Sequence, residues 1–176
     1  MKRSTVLFGL AALSGLLFIQ CQRSIPEKAT PISNFDLNRY LGKWFEVARI
    51  DFKHEKNLNQ TTASYSLNDD GSVKVVNRGY DVVKKKWKTA TGKAKFRGDK
   101  SVAALKVSFF GPFYSGYNVL AIDEEYQYAL VAGKSLDYLW ILSRTPEIPQ
   151  EIKDRFLQIA EDTGYQTSDL TWIKHN

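Results

Sequence analysis

Gly42-Lys43-Trp44 stands between a short turn, Asn34-Phe35-Asp36-Leu37-Asn38-Arg39-Tyr40-Leu41, and the first strand-like run of the chain, Trp44–Ile50. Glycine lets the backbone bend where a side chain would clash. The indole two residues on falls on the same face of the strand and can plug the end of a closing sheet. Two landmarks follow far downstream: Asp123-Glu124-Glu125-Tyr126 reads as a turn between strands, and Arg144 ends another strand.

On either side of these landmarks, the chain reads as a run of hairpins. β-branched and aromatic residues with partial period-2 alternation predict strands at Trp44–Ile50, Thr61–Leu67, Val73–Gly79, Trp87–Phe96, Ala104–Phe110, Tyr114–Ile122, Tyr126–Gly133 and Tyr138–Arg144. Asn68-Asp69-Asp70-Gly71 and Arg97-Gly98-Asp99-Lys100 are hairpin turns, since Asp and Gly accept positive φ. No helix separates consecutive strands, so the fold class is all-β, antiparallel and up-and-down. Eight such strands can close into a barrel that holds one small ligand; a two-sheet sandwich is the alternative. One C-terminal helix follows, with Pro149 in its first turn and Gly164 at its stop. Its apolar stripe, Ile152, Phe156, Ile159 and Ala160, is expected to pack outside the barrel. A short final strand, Asp169–Lys174, can pair beside the first.

Turns of an up-and-down barrel alternate between its ends. Gly42, Trp44, Asp123 and Arg144 therefore meet at one end, where Arg144 can lay its guanidinium over the Trp44 ring. The turns Asp51–Gln60, Asp81–Lys86, Gly111–Phe113 and Lys134–Asp137 ring the other end. That mouth carries Lys84, Lys85 and Lys86 and the aromatic hairpin around Phe110 and Phe113, which are candidates for head-group or membrane contact. Its turns sum to about +2 and those of the closed end to about −4. The cavity should be apolar with a few polar tips. Trp140 shares strand parity with Arg144, and Tyr65, Val75, Tyr117, Val119 and Tyr128 are the further candidate lining residues. A fatty acid or lysophospholipid fits such a cup, gaining roughly 0.8 kcal/mol per buried methylene.

The N-terminus reads as a targeting segment. Met1-Lys2-Arg3-Ser4 is basic, Val6 to Ile19 is apolar or small, and the run is too short to span a bilayer. Cys21, the chain's single cysteine, follows at once. Residues 1–20 are expected to be a lipoprotein signal peptide and Cys21 the lipidated residue, giving a membrane anchor. Gln20 departs from the small residue usual before such a cysteine, so ordinary cleavage with an incidental cysteine is the alternative. Residues 22–33 hold two prolines and read as a flexible tether reaching roughly 35–40 Å. Residues 34–176 form the one domain.

The 176 residues carry a formal charge of +6, about +4 without Lys2 and Arg3, too mild and dispersed for nucleic acid. One cysteine rules out an intradomain disulfide. Nucleophilic catalysis needs a positioned nucleophile and base. The two histidines, His54 and His175, fall on a rim loop and next to the C-terminus, so no enzyme is expected. No C-x-x-C or H-x-x-x-H occurs, and no metal or cofactor is expected.

Four strings are specific together: Tyr40 to Arg49, Asn77-Arg78-Gly79-Tyr80, Ala104 to Tyr114, and Leu139 to Pro146. On them, residues 34 to 174 resemble the lipocalins, and within them the bacterial outer-membrane lipoprotein lipocalins of the Blc type. The resemblance implies a cup for fatty acids or lysophospholipids, a Trp44–Arg144 pair with a stability role, an outer-membrane, periplasm-facing location, and a homodimer as one oligomeric state. A carrier of another apolar ligand such as a pigment, or a ligand-free structural envelope lipoprotein, is the alternative.

Overall fold

Hairpin after hairpin, the alternating runs zip into a single antiparallel sheet. The computed structural model describes residues 24–175; the signal segment, Cys21 and the first two tether residues lie outside them. The strands are β1 (Gly42–Ile50), β2 (Leu58–Leu67), β3 (Val73–Asp81), β4 (Lys86–Phe96), β5 (Ala104–Phe110), β6 (Phe113–Ile122), β7 (Tyr128–Ala132), β8 (Leu139–Ser143) and β9 (Leu170–Trp172). Sheet order is β2-β3-β4-β5-β6-β7-β8-β1-β9, and β1 also pairs with β2, which closes the first eight strands into a barrel. The eight-stranded barrel expected from the sequence is thus the observed fold, and the sandwich alternative falls away. Closure gives each of the eight strands a partner on both sides, although Lys86 to Gly92 of β4 pair with β3 alone.

β1 shares one edge between two partners. Gly42 to Phe45 pair with Tyr65 to Thr62 of β2, and Ala48 to Ile50 pair with Trp172 to Leu170 of β9. A bulge between Glu46 and Ala48, opposite Leu142 and Ile141 of β8, inserts Val47. A bulge breaks the alternation. Trp44 belongs to the inner core, whereas Val47 and Ala48 both pack in the outer one.

Those two cores position everything else. The inner core fills the closed half of the barrel with Phe35, Tyr40, Trp44, Tyr65, Val73, Val75, Leu105, Val119 and their neighbours. The outer core lies between the sheet and α2 (Gln150–Thr163), where Phe156 and Ala160 bury against Leu130, Leu139 and Ile141. Pro149 precedes the helix, and Gly164 ends it at φ 106° with its N–H donating to the Ala160 and Glu161 carbonyls. Before β1, the expected turn contains one helical turn, α1 (Leu37–Tyr40), capped by the Asp36 carboxylate accepting from the Asn38 N–H at 2.9 Å.

The tether differs from expectation. Residues 24–33 are a strap docked along β6. Ile32 donates to Val119 O at 2.9 Å, Ala103 donates to Ile32 O at 3.0 Å, and Asn118 Nδ2 donates to Ser24 O at 3.0 Å. Ile25 and Ala29 pack on the outer core. Backbone groups where β5 and β6 end their ladder offer the strap partners that water would otherwise take.

Candidate functional site

The closed end is built around Arg144. Its guanidinium carbon lies 3.8 Å from the Trp44 ring centroid. Nη1 donates to Lys43 O at 2.8 Å; Nη2 donates to Arg39 O and Leu41 O at 2.8 and 2.9 Å; Nε donates to Tyr126 O at 3.2 Å. One planar cation thus collects the orphan carbonyls at the end of α1 and ties them to two turns. Burial pulls the Arg144 pKa below its ordinary value. Trp44 Nε1 donates to Tyr40 O at 2.8 Å. Gly42 holds φ 93°, and a Cβ there would meet Arg144 Nη1 at 3.4 Å. Asp123 touches neither ring nor guanidinium. Its carboxylate accepts from the Gln127 and Tyr128 N–H groups at 2.7 and 2.6 Å, shaping the turn that presents Tyr126 O to Arg144.

Above the plug, three tyrosines form a layer across the barrel. Tyr117 Oη lies 2.6 Å from Tyr40 Oη and 2.8 Å from Tyr65 Oη. Burial raises the pKa of all three, so the layer is neutral. A carbon-lined cavity of ≈ 10 Å³ sits among them with Val73, Val75, Ala94, Leu105 and Val107, room for about one water.

The mouthward half is open along β4. Register pairs Val73 with Ala94, Asn77 with Ala90 and Gly79 with Lys88, so Ala94, Gly92, Ala90 and Lys88 all point inward. Ala94 is buried, Gly92 and Lys88 are half-buried, and Ala90 is exposed. An inward residue that solvent reaches marks the cup's opening. Facing it, Trp140 of β8 packs against the inner core, and Phe52 stands over Trp140 and Tyr138 at centroid distances of 5.9 and 5.3 Å.

A buried ionic network holds the loop after β1 across this end. Arg49, 1% exposed, pairs with Glu46 at 2.7 Å and Asp51 at 2.6 Å, and Nη2 donates to Glu55 O and Leu58 O at 2.8 and 3.0 Å. Glu46 also accepts from Thr61 Oγ1 at 3.0 Å. Glu55 Oε2 accepts from Trp140 Nε1 at 2.9 Å. Burial, with Glu46 next to it, pushes the Glu55 carboxyl up to about 8, while Glu46 keeps the Arg49 guanidinium charged.

Of the residues expected to line the cup, Tyr65, Val75, Tyr117, Val119 and Trp140 belong to the inner core or pack against it. Tyr128 does not: it packs on the outer core. The expected strand began at Tyr126, but that residue sits in the turn at φ 55° and joins the inner core. β7 starts at Tyr128, which the turn sends to the opposite face. Lys84, Lys85 and Lys86 are exposed on the β3–β4 turn, which Asp81 shapes by accepting from the Val83 and Lys84 N–H groups at 3.1 and 2.8 Å. Phe110 and Phe113 stand 75% and 78% exposed on the next hairpin. Two acids counted at the rim belong inside: Glu55 in the ionic network, and Asp81, paired with Lys88 Nζ at 2.7 Å. Sequence reading missed Asn77, Lys88 and Tyr40. Extending the Val73–Val75 parity would have found Asn77, whose amide Oδ1 is buried with no hydrogen-bond partner among the described residues. Among those residues, no group of His, Cys, Asp and Glu could hold a metal ion.

A closed barrel with one plugged end and one open, aromatic and polar end is a calyx, the class of protein that encloses a small apolar molecule. A family model described as a lipocalin-like domain matches residues 35–175. Outer membrane lipoprotein Blc of Citrobacter freundii is 51% identical over 165 residues, covering 93% of each chain, and that of Escherichia coli K12 is 48% identical over the same share. Insecticyanin of the tobacco hornworm superimposes with a TM-score of 0.69 at 19% identity, over 84% of this chain and 85% of its own. This chain belongs to the lipocalin family, whose members bind or carry hydrophobic ligands.

Proposed function

We propose that this protein is a lipid-anchored lipocalin of the outer membrane, facing the periplasm, that binds and carries single-chain acyl lipids: lysophospholipids or fatty acids. The observation that carries this reading is the half-open barrel. Its inner wall is hydrocarbon below, at Val73, Val75 and Ala94, and polar at a few points above, at Asn77 and Lys88. A molecule with one tail and one polar end matches that wall. Relatives sharing half the sequence are named outer membrane lipoproteins, and the basic and apolar start leading into Cys21 supports the same anchoring here. The role is read as binding, because the inner wall offers hydrocarbon with a few polar points. The cavity beside the tyrosine layer holds only ≈ 10 Å³, so an acyl chain that reaches that layer does so by displacing side chains.

The test is mass spectrometry of lipid extracted from natively purified full-length protein, beside a tryptophan-fluorescence titration with lysophospholipid. Co-purified acyl lipid and saturable quenching near one equivalent are expected. An empty protein that responds to neither lysophospholipid nor fatty acid overturns the reading in favour of a pigment-type ligand or a structural role.

A further inference from the structure

We infer that Asn77 reads a free hydroxyl on the bound lipid, the glycerol hydroxyl that a mono-acyl glycerophospholipid has and a diacyl lipid or ionised fatty acid lacks. The inference rests on the cup being an acyl-lipid site.

β3 carries Val73, Val75, Asn77, Gly79 and Asp81 on its inward face, with an unbroken register to β4. The neighbours of Asn77 across the ladder are Ala63 on β2 and Ala90 on β4. Neither alanine side chain carries a donor. The Asn77 Oδ1 accordingly has no partner among the described residues, although it is buried. Such an acceptor is unfavourable when left dry and unbonded, and a bound donor removes that penalty. An ionised carboxylate has no donor to offer Oδ1.

The order of groups along the wall identifies the donor. Toward the closed end from Asn77 lie Val75, Val73 and Ala94, which suit an acyl tail. The next inward position of β4 toward the mouth is Lys88, about 7 Å along the strand from Ala90. Its ammonium is held at the cup by Asp81 at 2.7 Å. Beyond it come the exposed Lys84, Lys85 and Lys86. Hydrocarbon, then acceptor, then cations matches acyl chain, then glycerol hydroxyl, then phosphate. The three bonds from the hydroxyl-bearing carbon to phosphorus span a distance that the flexible Lys88 side chain covers.

Native mass spectrometry of the full-length chain released from detergent tests this. The protein is offered an equimolar mixture of 1-oleoyl-lysophosphatidylethanolamine and its 2-deoxy counterpart, which differ by one oxygen and are resolved by mass. The wild-type chain should retain the hydroxyl-bearing lipid by about five- to tenfold, the worth of one hydrogen bond. Asn77→Leu keeps the side-chain size and should bring the ratio to about one. A wild-type ratio near one, or a preference that survives in Asn77→Leu, overturns the assignment while the cup reading stands, because both lipids are then bound. No adduct of either lipid overturns the cup reading, and this inference with it. The wild-type comparison needs no variant to fold.

Discussion

Arg144 shows how much of this fold one side chain can organise. Its guanidinium joins the end of α1, the start of β1 and the turn after β6 by donating to main-chain carbonyls of each. Arg144→Ala should cost about 2–4 kcal/mol, from lost charge-assisted hydrogen bonds and the Trp44 contact, read as a lower urea midpoint. Arg144→Lys should recover little, because a single ammonium cannot serve carbonyls spread around a plane. Glu55 sits at the opposite end. Unfolded, it loses its proton near its ordinary value of 4.5; folded, only at about 8. Between those values the folded chain holds a proton that the unfolded chain has released, so stability should fall as pH rises from about 5 to 8 and level off above. Glu46, Arg49 and Asp51 face the same network, and Glu46 is shifted upward too by burial. Glu55→Gln should therefore flatten most of the decline in urea midpoint between pH 5 and 8. An unchanged slope would place the titrating group elsewhere.

At the level of elements, the strands were legible because their two faces meet different surroundings. The hairpin turns were legible because Asp and Gly sit where positive φ or side-chain capping is needed. Turn parity brought the plug residues to one end, in agreement with what the lipocalin resemblance implied for Trp44 and Arg144. Bulges were not legible. Plain alternation in β1 would put Ala48 and Ile50 beside Trp44 and Glu46; the extra Val47 sends Ala48 out and brings Arg49 to Glu46. The ionic network therefore has no signature in the sequence. The strap was hidden for a similar reason: two prolines argue against a helix, and the main-chain groups that dock Ile32 lie where the β5–β6 ladder ends. A Cβ at Gly116 would lie 1.8 Å from Ser24 O, so the strap requires glycine there. Gly116→Ala should release residues 24–31 while the barrel persists. Limited proteolysis should then cut in that segment and leave the core from β1 to β9 intact; equal protection in both proteins would contradict the docking. On the other side, Phe156→Ala should cost about 3–5 kcal/mol, because a fully buried ring leaves a cavity under α2.

For the whole molecule, the two ends differ in kind. The closed end spends its polar groups on itself: Arg144 on carbonyls, Asp123 on turn amides, and Asp70 on Lys93 at 2.9 Å. The open end leaves charge unspent. With Glu55 and Asp81 drawn into the barrel, the exposed Lys84, Lys85 and Lys86 stand beside fewer rim acids than the sequence count assumed. The neighbouring hairpin adds Phe110 and Phe113, both largely exposed. A positive rim attracts anionic head groups over about 10 Å at ordinary salt, an influence on encounter rate more than on final affinity. Replacing Lys84, Lys85 and Lys86 together by glutamate should slow uptake of labelled lysophospholipid from anionic vesicles by about tenfold at low salt. The difference should shrink as salt is added, and uptake from neutral vesicles should change little. The three residues lie on an exposed turn outside both cores, so the variant should keep its fold. Unchanged uptake from anionic vesicles would mean that lipid reaches the cup by a route these lysines do not guide.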